Sequence, residues 1–263
     1  MNKNIWTLWM QGWKNAPDVC EKCSDSWRYH NSDWNLIQID RENVNEYIDI
    51  LSVLPKLKPN NVCYSDIIRL FLLKNHGGVW ADATVFCNKP LDNWLPSETY
   101  LFEYPYRHRM IASWFISADK NSYIIDVWYE AMLEYWRYRI SNTDQFWQDG
   151  CWVHRLFGEC YNNDVKFREI WDSTKRMGCS SEGVRGEGPH YFVPYEKHFY
   201  EHLTEETKDV IDSRIHPVYK LSYKTNTNWK NPNVRGIHPL DEKIKINYLK
   251  DGTLDYLFKT IGD

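Results

Sequence analysis

Apolar positions begin almost at the first residue. Ile5 to Met10 form an apolar run that predicts a first strand. Pro17 then opens a pattern in which Cys20, Cys23 and Trp27 recur at helical spacing, with proline tolerated in a first turn. Trp34 to Ile39 predicts a second strand. A helix is expected from about Glu42 to Leu51, before Pro55 and Pro59 break the chain. Strand, helix, strand, helix in the first 60 residues predicts an α/β fold with a mainly parallel sheet.

The next stretch is the most informative. Ser65 is placed to cap a helix, and Asp66 suits its positive end. From Ile67 to Leu73 nearly every residue is apolar, which marks a buried helix. Gly77 and Gly78 stop it, and Val79 to Phe86 predicts a core strand bounded by Pro90. Tyr100 to Tyr104 and Ile111 to Ala118 predict further strands. Asn121 to Arg139, Gln148 to Cys160 and Asp164 to Lys175 predict helices. Gly178 to Gly188 reads as a loop, and Ile215 to Ser222 as a late strand. No internal repeat or low-complexity tract is present.

Composition narrows the class. The chain has 263 residues, 43% hydrophobic and 26% charged, enough for one globular domain. A net charge of −4 argues against a general nucleic-acid binder. No apolar run is long enough to span a membrane, and the N-terminus predicts no secretory leader. Seven cysteines without framework spacing predict reduced thiols and a cytoplasmic location. The lone Cys20-x-x-Cys23 reads as core thiols. Aromatic residues reach 16%, with 14 Trp and 18 Tyr; such a surplus serves a packed core or a surface that stacks on sugars and bases.

Asp66 and Arg69 are the only charges between Ser65 and Leu73. They lie three apart, so they share a helix face. Burying charge is costly unless the charge is paired or used, so they are a structural ion pair or part of a site. Asp82 shifts the balance toward a site. It ends an apolar strand, and ligands of open α/β sheets bind beyond the carboxyl ends of strands. A carboxylate there can hold a cation, a ribose hydroxyl, or both.

The pattern Ser65-Asp66-x-x-Arg69, an apolar helix, Gly77-Gly78-x-Trp80-x-Asp82-x-Thr84, then Pro90-Leu91 resembles the GT-A-fold glycosyltransferases with a sugar-binding DXD motif. That group includes the fungal α-1,6-mannosyltransferases and the glucosylating clostridial toxins. The bacterial capsular polysaccharide synthesis proteins resemble the chain most. They share the opening Ile5 to Trp13, the strand Asp82 to Cys87, Ser113 to Ile116, Asp149 to His154, Phe157, Phe167 to Trp171, Gly188-Pro189-His190 and Lys220 to Lys224.

The resemblance implies a single GT-A-like domain with a central mixed sheet and helical insertions. Residues 1–118 would form the nucleotide-sugar-binding core, 119–176 a helical insertion, and 177–263 the acceptor side and a C-terminal lid. It implies a retaining transferase using a nucleoside-diphosphate sugar, with uridine diphosphate first. Trp9 would stack on the base, with Gln11 nearby; Asp66 and Arg69 would grip the sugar; Asp82 would meet the ribose and the metal shell. Thr84 stands where the wider group has its second acid. A Mn²⁺ or Mg²⁺ ion would therefore rest on Asp82, diphosphate, water and a late residue such as His216, or be weak or dispensable. Lys220, Ser222 and Lys224 would face the diphosphate. Asn226, Asn228 and Trp229 would form a lid. Asp149, His154 and His190 would line the acceptor side. The implied acceptor is an oligosaccharide or lipid-linked glycan in capsule or surface-polysaccharide synthesis, with peripheral membrane association at the cytoplasmic face.

Three other readings compete. His198-x-x-Glu201-His202 fits an inverted zinc-protease string, which needs both histidines on one helix face. Thr84 suits a non-catalytic carbohydrate-binding protein on a degenerate transferase fold. A sugar nucleotidyltransferase would open with a glycine-rich phosphate loop, and Gln11-Gly12-Trp13 is too poor in glycine for one.

Overall fold

The computed structural model describes residues 1–58, 60–106, 109–142, 151–180, 188–193, 201–223 and 249–262. The chain divides into two units. The first comprises Met1–Met10, Ile37–Asp82 and Leu95–Cys179; the second comprises Gln11–Leu36, Ala83–Trp94 and Ser180–Asp263.

The first unit is built on a five-stranded sheet in the order β2-β1-β3-β6-β5. Strand β1 (Asn4–Leu8) pairs in parallel with β3 (Gly78–Ala81), with Ile5 opposite Val79 and Trp6 opposite Trp80. Antiparallel pairing adds β6 (Arg109–Ala118) to β3, then β5 (Tyr100–Tyr106) to β6; β2 (Asn35–Ile39) lies at the other edge. The expected α/β class with a central mixed sheet is what forms.

Helix α4 (Asn61–His76) carries the apolar stretch, and Ile67, Ile68, Leu70, Leu72 and Leu73 are inaccessible to solvent. It begins earlier than expected. Asn60, not Ser65, is the cap, its side chain accepting from the Cys63 N–H at 2.9 Å. Ser65 therefore lies inside the helix, where its groups serve Arg69 instead. Gly77 ends the helix with φ of 68°, and Gly78 follows at 99°. A Cβ on Gly77 would lie 2.6 Å from the Lys120 nitrogen, and one on Gly78 2.5 Å from the Asn4 carbonyl oxygen. Only glycine allows this left-handed turn and the close approach of β3 to β1.

Two expected elements are divided. The run Val79 to Phe86 is not one strand but β3 and then β4 (Val85–Cys87), which pairs with β7 (Val218–Lys220) in a separate two-stranded sheet. Both halves are apolar, so periodicity carried no sign of the break. The helix expected at Glu42 to Leu51 is two single turns, α2 (Val44–Tyr47) and α3 (Ile50–Val53), parted by extended Ile48. Asp49 recaps the chain there, accepting from the Ser52 N–H at 3.1 Å.

Helices α5 (Tyr123–Asn142), α6 (Trp152–Asn163) and α7 (Val165–Ser173) complete the first unit and pack through aromatic rings. Tyr135 and Trp152 stack at 5.4 Å, and Trp136 meets Trp152 edge-on. Trp6, Trp80, Trp128, Trp136 and Trp152 are fully buried, so much of the aromatic surplus is core.

In the second unit, α1 (Asp18–His30) packs on β4. Trp27 Nε1 donates to the Val85 carbonyl at 2.8 Å. Cys20 and Cys23 are free, buried thiols whose pKa values burial pushes up, as the core-thiol reading requires. Two helices were not expected: α8 (Glu205–Ser213), capped by Thr204, and α9 (Thr253–Lys259). Helix α8 buries only Ile211, too thin a stripe to register as a period.

Candidate functional site

Asp66, Arg69 and Asp82 meet within the first unit. Helical spacing places Asp66 one turn before Arg69 on α4, and the end of β3 delivers Asp82. Arg69 Nη2 lies 3.0 Å from Asp66 Oδ1 and 3.3 Å from Asp82 Oδ1. The rest of the guanidinium fork is also taken by protein. Nη1 donates to the Ser113 carbonyl at 2.6 Å, Nε to the Ser65 carbonyl at 3.4 Å, and Nη2 to Ser65 Oγ at 3.2 Å. The Arg69 guanidinium carbon also sits 5.1 Å from the Trp80 ring centroid. This fork is built to hold the two carboxylates in place rather than to reach outward.

The three members differ in exposure. Arg69 and Asp66 side chains are 5% and 9% exposed, but Asp82 is 27% exposed, so Asp82 is the member that meets solvent. Its Oδ1 also accepts from Trp80 Nε1 at 2.9 Å, and its N–H donates to the Trp114 carbonyl at 2.9 Å.

Burial raises the Asp66 pKa to about 6; Arg69 opposes the shift and Asp82 adds to it. The folded pKa lies above the ordinary 3.8, so the folded protein binds more protons between the two values. Asp66 therefore favours folding most near pH 4, and this contribution is lost as pH rises through about 6. Asp66→Asn is expected to flatten that part of the stability–pH curve, measured by urea unfolding from pH 4 to pH 7. An unchanged slope would remove the buried-carboxyl assignment.

Trp9 is half-buried just past β1. Strand β1 ends at Leu8 and β3 at Ala81, so Trp9 and Asp82 each follow the end of one of two strands that pair in parallel. Trp9 and Asp82 thus share the carboxyl edge of adjacent parallel strands, while Trp6 is core, donating to the Gly77 carbonyl at 2.9 Å. His154 is half-buried on α6, a helix packed on β6.

The remaining residues singled out in the sequence belong to the second unit. Gln11 offers its carbonyl to Asn15 Nδ2 at 3.1 Å. The Lys220 ammonium donates to Thr84 Oγ1. Ser222 follows β7 and is half-buried. His190 is buried, and desolvation, with the Lys220 charge added, lowers its pKa to about 4, so it is neutral at pH 7. Asp149, Lys224, His198, Asn226, Asn228 and Trp229 lie outside the described residues.

The residues named for a divalent cation divide between the two units, Asp82 in the first and Thr84 and His216 in the second. The Thr84 hydroxyl is taken by an ammonium, and the His216 ring lies among Tyr191 and Tyr219 at 6.3 and 5.9 Å. Among the described residues no group of three or more His, Cys, Asp or Glu converges on a metal position. The zinc-protease string fails on geometry: His202 forms a β-bridge with Gly252, so it is extended rather than helical.

Residue type marks no site role for Trp80 or Ser113, and for Ser65 only that of a cap. Trp80 was the legible one, since residues two apart on a strand share a face with Asp82. The Ser113 contribution is a backbone carbonyl, which residue type does not mark.

The acids Asp66 and Asp82 gather past the end of a parallel strand in a mixed α/β sheet, the edge beyond which open α/β sheets hold their ligands. The chain belongs to the capsular polysaccharide synthesis protein family, whose profile matches residues 1–235. It is similar to the O-glycosyltransferase braB of Annulohypoxylon truncatum, 29% identical over 160 residues, covering 51% of this chain and 38% of that protein. It is also similar to the initiation-specific alpha-1,6-mannosyltransferase of Candida albicans, 24% identical over 149 residues, covering 53% of this chain and 38% of that protein. The match thus spans well under half of either relative. A solved structure, PaToxG glycosyltransferase, aligns with a TM-score of 0.47 at 17% identity, covering 66% of this chain and 74% of that one.

Proposed function

We propose that this protein is a retaining glycosyltransferase that moves a sugar from a nucleoside-diphosphate sugar, a uridine diphosphate sugar first, to a glycan acceptor in capsular or surface-polysaccharide synthesis. One observation carries the reading: two carboxylates held at 3.0 and 3.3 Å by a single buried guanidinium, at the carboxyl edge of a parallel strand pair. Membership of the capsular family and likeness to two named transferases support the chemistry.

In this reading Asp66 and Asp82 accept hydrogen bonds from sugar and ribose hydroxyls, and Arg69 is a positioning residue. Trp9 stacks on the base, worth about 1–3 kcal/mol. Retention follows from a front-side displacement, in which the departing phosphate helps remove the acceptor proton. The acceptor is a lipid-linked or free oligosaccharide met at the cytoplasmic face of the membrane. Peripheral contact with that face belongs to the proposal; no helix among the described residues is long and apolar enough to cross a membrane.

Thr84 in place of a second acid favours one other reading, a carbohydrate-binding protein without turnover. A thermal-shift screen of uridine and guanosine diphosphate sugars separates the outcomes. A ligand of the folded state raises the melting point by mass action, about 2.7 kcal/mol at a hundredfold excess over Kd. We expect at least one donor to stabilise the protein and to release free nucleotide on incubation with a glycan acceptor. Binding without release would leave the second reading; no binding of any donor would sink the transferase reading.

A further inference from the structure

We infer that the second unit carries a binding site of its own for an anionic sugar, a glycan unit bearing a carboxylate or a phosphate, with Arg214 taking the charge. The inference goes beyond the donor reading and borrows from it only that the protein handles glycans.

A cleft of about 350 Å³ is lined by residues of α8, of α9 and by Asn88, which follows β4; all belong to the second unit. Its walls are fixed by bonds within the protein. Asn88 is 1% exposed; its N–H donates to the Pro217 carbonyl at 2.9 Å and its Nδ2 to the His216 carbonyl at 3.0 Å. Tyr256 Oη donates to Asp212 Oδ1 at 2.7 Å, which ties α9 to α8, and Lys208 Nζ holds Asp212 Oδ2 at 3.1 Å. Lys259 Nζ lies 2.8 Å from Asp255 and 3.1 Å from Asp251.

Asp212 and Lys259 are therefore engaged by protein charges on the cleft wall. Arg214 is not: it is exposed, and its guanidinium makes no hydrogen bond or ion pair among the described residues. Its backbone adds a second indication. Arg214 caps α8 with φ of 49° and ψ of 32°, the left-handed region. That conformation costs a residue with a Cβ about 1–2 kcal/mol, and glycine or asparagine is the usual occupant. An arginine kept there points to a use for its side chain.

A guanidinium fork suits a carboxylate or phosphate. The rest of the lining suits more than a bare anion. Ile211 and the Tyr256 ring give an apolar wall. The Thr260 hydroxyl donates to the Leu257 carbonyl at 2.7 Å and so offers the cleft an acceptor, as does the Asn88 amide oxygen. Pockets for small organic ligands begin at about 300 Å³, so a free phosphate would leave most of this cleft empty. A charged ring with hydroxyls matches the charge, the wall and the acceptors together.

The test is an NMR titration of the isotope-labelled full chain with glucuronic acid, glucose 6-phosphate, glucose and inorganic phosphate, read at the Arg214, Tyr256 and Thr260 amides. At least one acidic sugar is expected to give saturable shifts at all three, with glucose and phosphate roughly tenfold weaker or more. Which acidic sugar binds tells carboxylate from phosphate. Arg214→Asn suits the left-handed backbone and should weaken binding roughly tenfold to a hundredfold, while Arg214→Lys, which keeps the charge but not the fork, should fall between. Spectra of each variant without sugar separate lost binding from lost fold. No saturable shift with either acidic sugar, equal binding of glucose or of phosphate, or a folded Arg214→Asn that binds like the parent overturns the inference. A uridine diphosphate sugar added to the parent keeps the two readings apart. Failure here with the donor still bound overturns this inference alone; acidic-sugar shifts without donor binding support it and count against the donor reading.

Discussion

Arg69→Ala should cost about 3–5 kcal/mol of folding stability at pH 7, the penalty for removing one partner from a buried ionic cluster. The guanidinium is 5% exposed and satisfies two carboxylates, two backbone or side-chain oxygens of Ser65, and the Ser113 carbonyl. Alanine removes the guanidinium donors from between these acceptors, while Asp82 Oδ1 keeps Trp80 Nε1. The loss should shrink at pH 5, because Asp66 takes up a proton once the charge that opposed its raised pKa is gone. Combining Arg69→Ala with Asp66→Asn should recover part of the loss, a non-additivity expected only if the two share one network. Urea unfolding of the three variants at both pH values measures this. A loss under about 1 kcal/mol, the worth of an exposed ion pair, would show that the cluster is not buried in solution.

Asp82→Asn is expected to behave in the opposite way. Asp82 is the exposed member, so the fold should tolerate the change with a melting point close to the parent's. The amide oxygen can still accept from Trp80 Nε1 and Arg69. What disappears is a charged acceptor for donor hydroxyls, worth about 1.5–3 kcal/mol. Turnover measured as nucleotide release should therefore fall roughly tenfold to more than a hundredfold. A variant that melts like the parent and turns over like it would remove Asp82 from the site. One that loses stability as Arg69→Ala does would make it a structural residue instead. The pH profile adds a check: protonation of Asp66 near pH 6 should lower kcat/KM on the acid side while stability rises.

Much of this was legible from residue type because some physical rules act locally. A buried helix must be apolar on all sides, so Ile67 to Leu73 announced itself, and any charge within it had to be paired or used. The turn at Gly77 and Gly78 needs left-handed φ and has no room for a Cβ, so two glycines marked where helix gives way to strand. Ser65 misled because a serine before an apolar run looks like a cap whether or not the helix has already begun. The true cap, Asn60, lies behind Val62 and Cys63, where the apolar pattern is still thin.

The sequence alone determined the α/β class, the buried helix and its end, and the identity of the three ionised residues, since burying charge and reversing the backbone limit residue choice at single positions. Tertiary structure alone decided which oxygens Arg69 holds, where the apolar run after Gly78 splits between two sheets, and that Lys220 lands on Thr84 across 136 residues. Those outcomes depend on strand partners far away in the chain: a strand's own pattern limits its register once paired, but does not say which distant strand it pairs with.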